Sequence, residues 1–122
     1  MKLLCFCTKP AIRHTWANFA VEVIATAVLL LGVLVIYEPH NKMTPALGPY
    51  MVGIVVFAIG LSLGGPTGYA INPTRDLGPR CMHALLPIAG KGSSEWSYAW
   101  IPIVAPCVGG VIGALIYKLI FS

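Results

Sequence analysis

Asn72, Arg75, Asp76 and Arg80 lie close together in the stretch GGPTGYAINPTRDLGPRCMHALLPI, residues 64–88. They offer an amide, two guanidinium groups and a carboxylate. No nucleophile beside a base and no paired catalytic carboxylates occur at a useful spacing, so no enzymatic activity is expected. The local pattern says how these groups would be held. Asn72 can serve as an N-cap, with Pro73 at the first helical position, where proline is favoured. A half-helix over 73–85 is expected to follow, and Asp76 in its first turn suits the helix dipole. The residues before Asn72 are too broken by glycine and proline to span a membrane as a helix, and too apolar for a plain aqueous loop. Non-helical backbone enters a bilayer only where protein buries it or where it lines a watery cavity. The residues alone leave two readings: a re-entrant loop at a pore or binding site, or an interfacial loop lying on the surface.

Other chemistry-bearing residues carry less. Cys5 and Cys7 are two apart, and Cys81 and Cys107 are isolated. A zinc site needs tighter ligand spacings, so buried or lipid-facing thiols are expected. His14, His40 and His83 are too scattered for a metal site, and His83 reads as a packing or interface residue. No metal and no cofactor are expected. Glu22, inside an apolar run, is either a proton relay or an acceptor of hydrogen bonds from loop amides, because acids within a membrane pair inside the bundle.

The elements that must position these residues follow from composition. The chain of 122 residues is 57% hydrophobic and 10% charged, with a net charge of +4; its mean hydropathy is +0.82. A soluble domain carries about 25% charged residues. The deficit excludes an ordinary soluble enzyme and a disordered chain. The scattered basic residues form no patch that could track nucleic acid. No signal peptide is evident, since Lys9-Pro10 interrupts the short apolar run 3–7. Three stretches reach the ~20 apolar residues needed to cross a bilayer: 17–37, 45–63 and 99–121. Lys118, near the end of the third, can snorkel to the interface. Trp16, Tyr37, Tyr50, Trp96, Tyr98 and Trp100 sit at span edges, as an aromatic belt would. Gly109 and Gly113 form a small-xxx-small pair that permits close helix contact.

The string Gly68-Tyr69-Ala70-Ile71-Asn72-Pro73-Thr74-Arg75-Asp76-Leu77-Gly78-Pro79-Arg80 resembles the second signature loop of the major intrinsic proteins. Asp76 and Arg80 are similar to the glycerol uptake facilitators, the aquaglyceroporin branch, and Pro102-Ile103 matches that branch in the last helix. The resemblance extends over residues 7–121, including Pro10-Ala11-Ile12-Arg13, Glu22 and the segment 96–102. It implies an all-α membrane protein of three transmembrane helices and one re-entrant half-helix. That equals one repeat, the C-terminal half, of the six-helix aquaporin-like bundle, so the chain 1–122 would be a single half-channel domain in the cell (plasma or inner) membrane.

The resemblance also implies roles. Asn72, in the signature triplet Asn72-Pro73-Thr74, would donate its amide to the permeant. Arg75, Tyr69 and Gly60 would be selectivity-filter residues. Gly60 would widen the aperture for a CH–OH group, and Arg75 with the helix dipole would bar cations and protons. Carbonyls of 65–70 would form an acceptor ladder. Glu22 and Asp76 would support the loop. Thr74 departs from the family's alanine. The other departure is size: the family has two signature loops in inverted repeats, and this chain has one. A lone repeat would expose polar backbone, Asn72 and Arg75 to lipid. A complementary N-terminal half or an antiparallel copy is therefore expected, with complete channels assembling as tetramers. The family half begins outside, whereas Lys2, Lys9 and Arg13 against a lone Lys42 would place the N-terminus in the cytoplasm.

Three functions are consistent with the chain. One is half of a passive channel for glycerol and similar small neutral solutes, with water as a further permeant. Another is a non-conducting truncated or modulatory membrane protein. The last is half of a secondary transporter, which the string around Asn72 disfavours.

Overall fold

The computed structural model describes residues 2–121. Four α-helices carry the fold: α1, Thr15–Ile36; α2, Leu47–Thr67; α3, Pro73–Leu85; and α4, Trp96–Phe121. Short 3₁₀ turns occupy Lys2–Cys5 and Pro39–Asn41. No strand occurs among the described residues. Helices α1, α2 and α4 are each long and apolar enough to cross a membrane. Helix α3 is a half-helix of 13 residues, about 20 Å long at 1.5 Å per residue, too short to span.

Local chemistry sets the helix ends. His14 caps α1, its Nδ1 accepting from the amide of Ala17 at 3.2 Å. Helix α2 runs further than its sequence suggests. Pro66 lies within its last turn; it forgoes one backbone bond, to the carbonyl four residues back, while its own carbonyl accepts from Ala11 N. The helix ends at Gly68, in the left-handed conformation, whose amide donates to Gly64 O at 2.8 Å. Such a C-cap favours glycine because no Cβ resists the positive φ. The expected boundary at residue 63 thus moves to Thr67. The non-helical entry before Asn72 shortens to residues 68–71.

Helix α1 packs chiefly on α4, and also on α2; α3 packs on α4. The α1–α4 approach is close because glycines line it. A Cβ on Gly109 would stand 2.3 Å from Val23 O, and one on Gly113 2.5 Å from Ala27 O. Gly109→Val is therefore expected to push the helices apart and destabilise the fold by about 1–3 kcal/mol. Denaturant unfolding in detergent micelles checks this against Gly53→Ala, where an added Cβ meets nothing within 4 Å. Around the contact, Tyr98, Ile101 and Ala105 form a buried cluster with Phe19 and Val23. A second cluster joins Ala25, Ile59 and Ile71. Trp16, Tyr37, Tyr50, Trp96 and Trp100 are exposed at helix ends. Tyr98 departs from the expected belt. It is 6% exposed, with the Arg80 guanidinium 5.9 Å from its ring centroid. Two residues from the exposed Trp96 and Trp100, about 200° around the helix, it falls on the inner face.

The N-terminal segment is built into the bundle. Ala11 donates its amide to Pro66 O at 2.9 Å, and Asn18 Nδ2 donates to Ile12 O at 2.8 Å. Thr8 O accepts from Arg80 Nη2 and the Phe6 ring meets His83, so the segment also sits against α3, where the site begins.

Candidate functional site: a strained loop and a capped half-helix

The segment 68–71 is backbone under constraint. Gly68, Tyr69 and Ile71 take φ values of 79°, 40° and 44°. A left-handed conformation is uncommon outside glycine, and for a β-branched residue such as Ile71 it is a real outlier. It costs on the order of 1–3 kcal/mol and persists only where surroundings over-determine it. Glu22 does so. From the middle of α1, fully buried, its Oε1 accepts from Ala70 N at 2.9 Å and its Oε2 from Ile71 N at 2.8 Å. One carboxylate thus satisfies two successive loop amides that have no helix or strand to join.

Asn72 then turns the chain into α3. Its Oδ1 accepts from Thr74 N at 2.9 Å and Arg75 N at 3.2 Å. Both bonds use the oxygen, so the NH₂ group stays available on an exposed side chain. Arg75 and Thr74 are exposed beside it. The guanidinium of Arg75 pairs with no carboxylate among the described residues. The Tyr69 ring lies along the glycine face of α2. Cβ atoms built on Gly60 and Gly64 would come within 3.1 Å and 2.6 Å of it. Next to it, a recess of about 350 Å³ is lined by Gly53, Val56, Phe57, Gly60, Leu61 and Tyr69. Gly60 thus meets the Tyr69 ring, and Asn72 and Arg75 stand exposed where the loop turns into α3. The acceptor ladder is shorter than the 65–70 expected, because Gly65, Pro66 and Thr67 are helical; only the carbonyls of 68–71 belong to non-helical backbone.

Behind the loop lies a buried ion-pair network. Arg80 is wholly inaccessible, and each of its five N–H donors has an acceptor in reach. Nε donates to Asp76 Oδ1 at 2.8 Å, and Nη2 lies 2.7 Å from the same oxygen. Nη2 also donates to Thr8 O at 2.8 Å, and Nη1 to Ser94 O at 2.7 Å and Glu95 O at 3.4 Å. The other Asp76 oxygen accepts from Thr8 N at 2.8 Å and Thr8 Oγ1 at 2.5 Å. The network therefore ties the N-terminal segment and the chain before α4 to the turn that carries Arg75. His83 is buried beside it, with Nδ1 2.9 Å from Ser94 Oγ and its ring edge-on to Phe6. Cys7 is buried nearby, and burial pushes its thiol pKa up. Pro102 and Ile103 lie in α4; Pro102 is buried in the bundle and Ile103 half-buried. Sequence reasoning missed Thr8, Ser94 and Asn18. Lys91 was also missed; its ammonium donates to Ala84 O and Leu86 O and so caps the end of α3. Only Lys91, a cation shortly after a helix end, carried any local signal.

This arrangement has relatives. The family profile described as major intrinsic protein matches residues 2–117. The chain belongs to the major intrinsic protein family. Members of this family are channels and transporters, not enzymes, and this one is an integral membrane protein of the plasma membrane. A probable glycerol uptake facilitator protein of Thermotoga maritima is 57% identical over 98% of this chain and 50% of its own length. The glycerol uptake facilitator protein of Bacillus subtilis is 57% identical over 99% of this chain and 43% of its own. The X-ray structure of the aquaglyceroporin from Plasmodium falciparum superposes with a TM-score of 0.83 at 32% identity, covering 98% of this chain and 51% of that one. The chain spans about half the length of the curated relatives it matches.

Proposed function

We propose that this chain supplies the C-terminal half of a passive pore for glycerol and similar small neutral polyols, with water as a second permeant. The observation that carries the reading is the cap at Asn72. Its oxygen holds the first turn of α3, so its NH₂ points free toward a permeant oxygen, at the positive end of a half-helix with Arg75 one turn on. Carbonyls of 68–71 offer acceptors to hydroxyls. The apolar flank at Phe57 and Leu61 faces the carbon side of a polyol. In this reading Gly60, Tyr69 and Arg75 form the filter, Glu22 and Asp76 hold it in place, and Arg80, Pro102 and Ile103 mark the glycerol branch. Glycerol uptake facilitator is also the name borne by the relatives above.

The exposed polar face needs a cover. Unpaired backbone carbonyls and a guanidinium are not tolerated against lipid. A complementary N-terminal half closes the pore, whether from a longer parent chain, a second polypeptide or an antiparallel copy, and complete channels assemble as homotetramers. Proteoliposomes holding this chain with a complementary half should reswell in a glycerol gradient faster than empty ones, by stopped-flow light scattering. Reswelling at the empty-liposome rate, both alone and with the half, would instead favour a non-conducting membrane protein. In the conducting assembly, Gly60→His is expected to cut glycerol flux at least tenfold and water flux by less. The imidazole would occupy the space beside the Tyr69 ring, already 3.1 Å from an added Cβ, and narrow the aperture; tenfold is about 1.4 kcal/mol. Equal loss of both fluxes would remove Gly60 from the filter.

A further inference from the structure

The N-terminal ends of α1 and α4 enclose a second recess, of about 200 Å³, apart from the one beside Tyr69. His14, Thr15 and Asn18 line it from α1, and Ser97 and Trp100 from α4, with Arg13 at its rim. Asn18 is 2% exposed, and its Nδ2 donates to Ile12 O, but its Oδ1 has no partner. A buried amide oxygen left without a donor costs about 1–3 kcal/mol. The recess therefore lacks a donor that a ligand can bring.

Its charge points the same way. Lys9 and Arg13 lie 3.9 Å and 2.8 Å from Glu95, so two cations face one carboxylate and leave a net positive charge. The forked Arg13 pair holds the Glu95 carboxyl below its usual range, keeping that balance. Two helix N-termini open on the same place and add to the positive field. His14 Nδ1 is occupied by the Ala17 amide, so a neutral ring carries its proton on Nε2 as a further donor. The surroundings are those of a membrane interface: Trp16 is 71% exposed, Ile12 62% and Trp100 38%.

We propose that this recess binds the headgroup of an anionic phospholipid bearing free hydroxyls, of the phosphatidylglycerol type. The phosphate lies beside Arg13 and His14 Nε2, a headgroup hydroxyl donates to Asn18 Oδ1, and the acyl chains run over Trp16 and the outer face of α1. The site shares no residue with the pore, so it stands whether or not the chain conducts.

Native mass spectrometry of the full chain released from detergent micelles tests it, with lipids of identical acyl chains. Phosphatidylglycerol should bind more than fivefold tighter than phosphatidylcholine: one unneutralised basic charge near the surface gives about fivefold, and the hydroxyl bond to Asn18 adds to it. Phosphatidylmethanol, anionic but without hydroxyls, should fall between. Ser97→Trp, which fills the recess from an exposed position, and Arg13→Gln should each abolish the preference, while Lys42→Gln at the far end of the bundle leaves it. Equal binding of phosphatidylglycerol and phosphatidylcholine, or a preference that survives Ser97→Trp, would overturn the site. Parity of phosphatidylmethanol with phosphatidylglycerol would overturn the role of Asn18. Displacement by equimolar glycerol 1-phosphate would overturn the lipid as its ligand.

Discussion

Glu22→Leu is expected to destabilise the fold by about 3–5 kcal/mol and to abolish solute flux in the assembled channel. The carboxylate is the sole acceptor of the Ala70 and Ile71 amides. Leucine fills similar space but leaves both donors buried and unpaired. Hydrogen bonds to a charged group are worth about 1.5–3 kcal/mol each. The loss falls on backbone already strained at Tyr69 and Ile71, so the loop is expected to relax toward ordinary φ values. The carbonyls of 68–71 and the Asn72 cap would then lose their places. Glu22→Gln separates support from charge: it keeps one acceptor oxygen, and should retain about half the stability. If Glu22 were a proton relay, Gln would leave stability intact and alter only proton movement. Thermal unfolding in detergent beside stopped-flow reswelling distinguishes the outcomes.

Arg80→Met is expected to cost about 3–5 kcal/mol, the penalty for breaking a buried ion pair from one side. Asp76 would lose its cationic partner in a site with no access to water. The carbonyls of Thr8 and Ser94 would lose their donors. Arg80→Lys should recover little, because one ammonium cannot reach acceptors spread along a planar fork. The double change Asp76→Asn with Arg80→Met should cost less than the sum of the single changes, since it removes both charges together. Additive losses in denaturant unfolding would mean that the two side chains act separately. The same variants test whether the network holds the filter. A shift in the glycerol-to-water flux ratio at low temperature, where the fold persists, is expected for Arg80→Lys.

Much of this protein was legible without a structure, for identifiable reasons. Apolar runs of membrane length are a one-dimensional signal, and the three spans follow from counting them. The start of α3 is equally local: Asn72 before Pro73 carries its own cap and its own fixed φ. The half-helix accordingly begins and ends where expected, at Pro73 and Leu85. The end of α2 was harder. Glycines and a proline at 64–66 resemble a break, yet glycines keep their backbone bonds and one proline removes only one, so the helix continued to Thr67. Tyr98 was misplaced for a related reason. At a span edge, one helical step separates the lipid face from the core, and only packing on Phe19 and Val23 decides it.

By itself the sequence determined the class of molecule, its membrane elements, and the chemistry gathered at one loop. Hydropathy, capping and the Asn-Pro-Thr-Arg-Asp string depend on neighbours in the chain. Tertiary structure alone decided what holds that chemistry still. Glu22 reaches the amides of Ala70 and Ile71 across 48 and 49 residues, and Thr8 meets Asp76 across 68. No periodicity or spacing records such pairs, because burial creates the need for them. In a medium without water, each loop amide and each charge must find a partner within the protein, and the partner is whichever residue the packing of α1, α3 and α4 brings alongside.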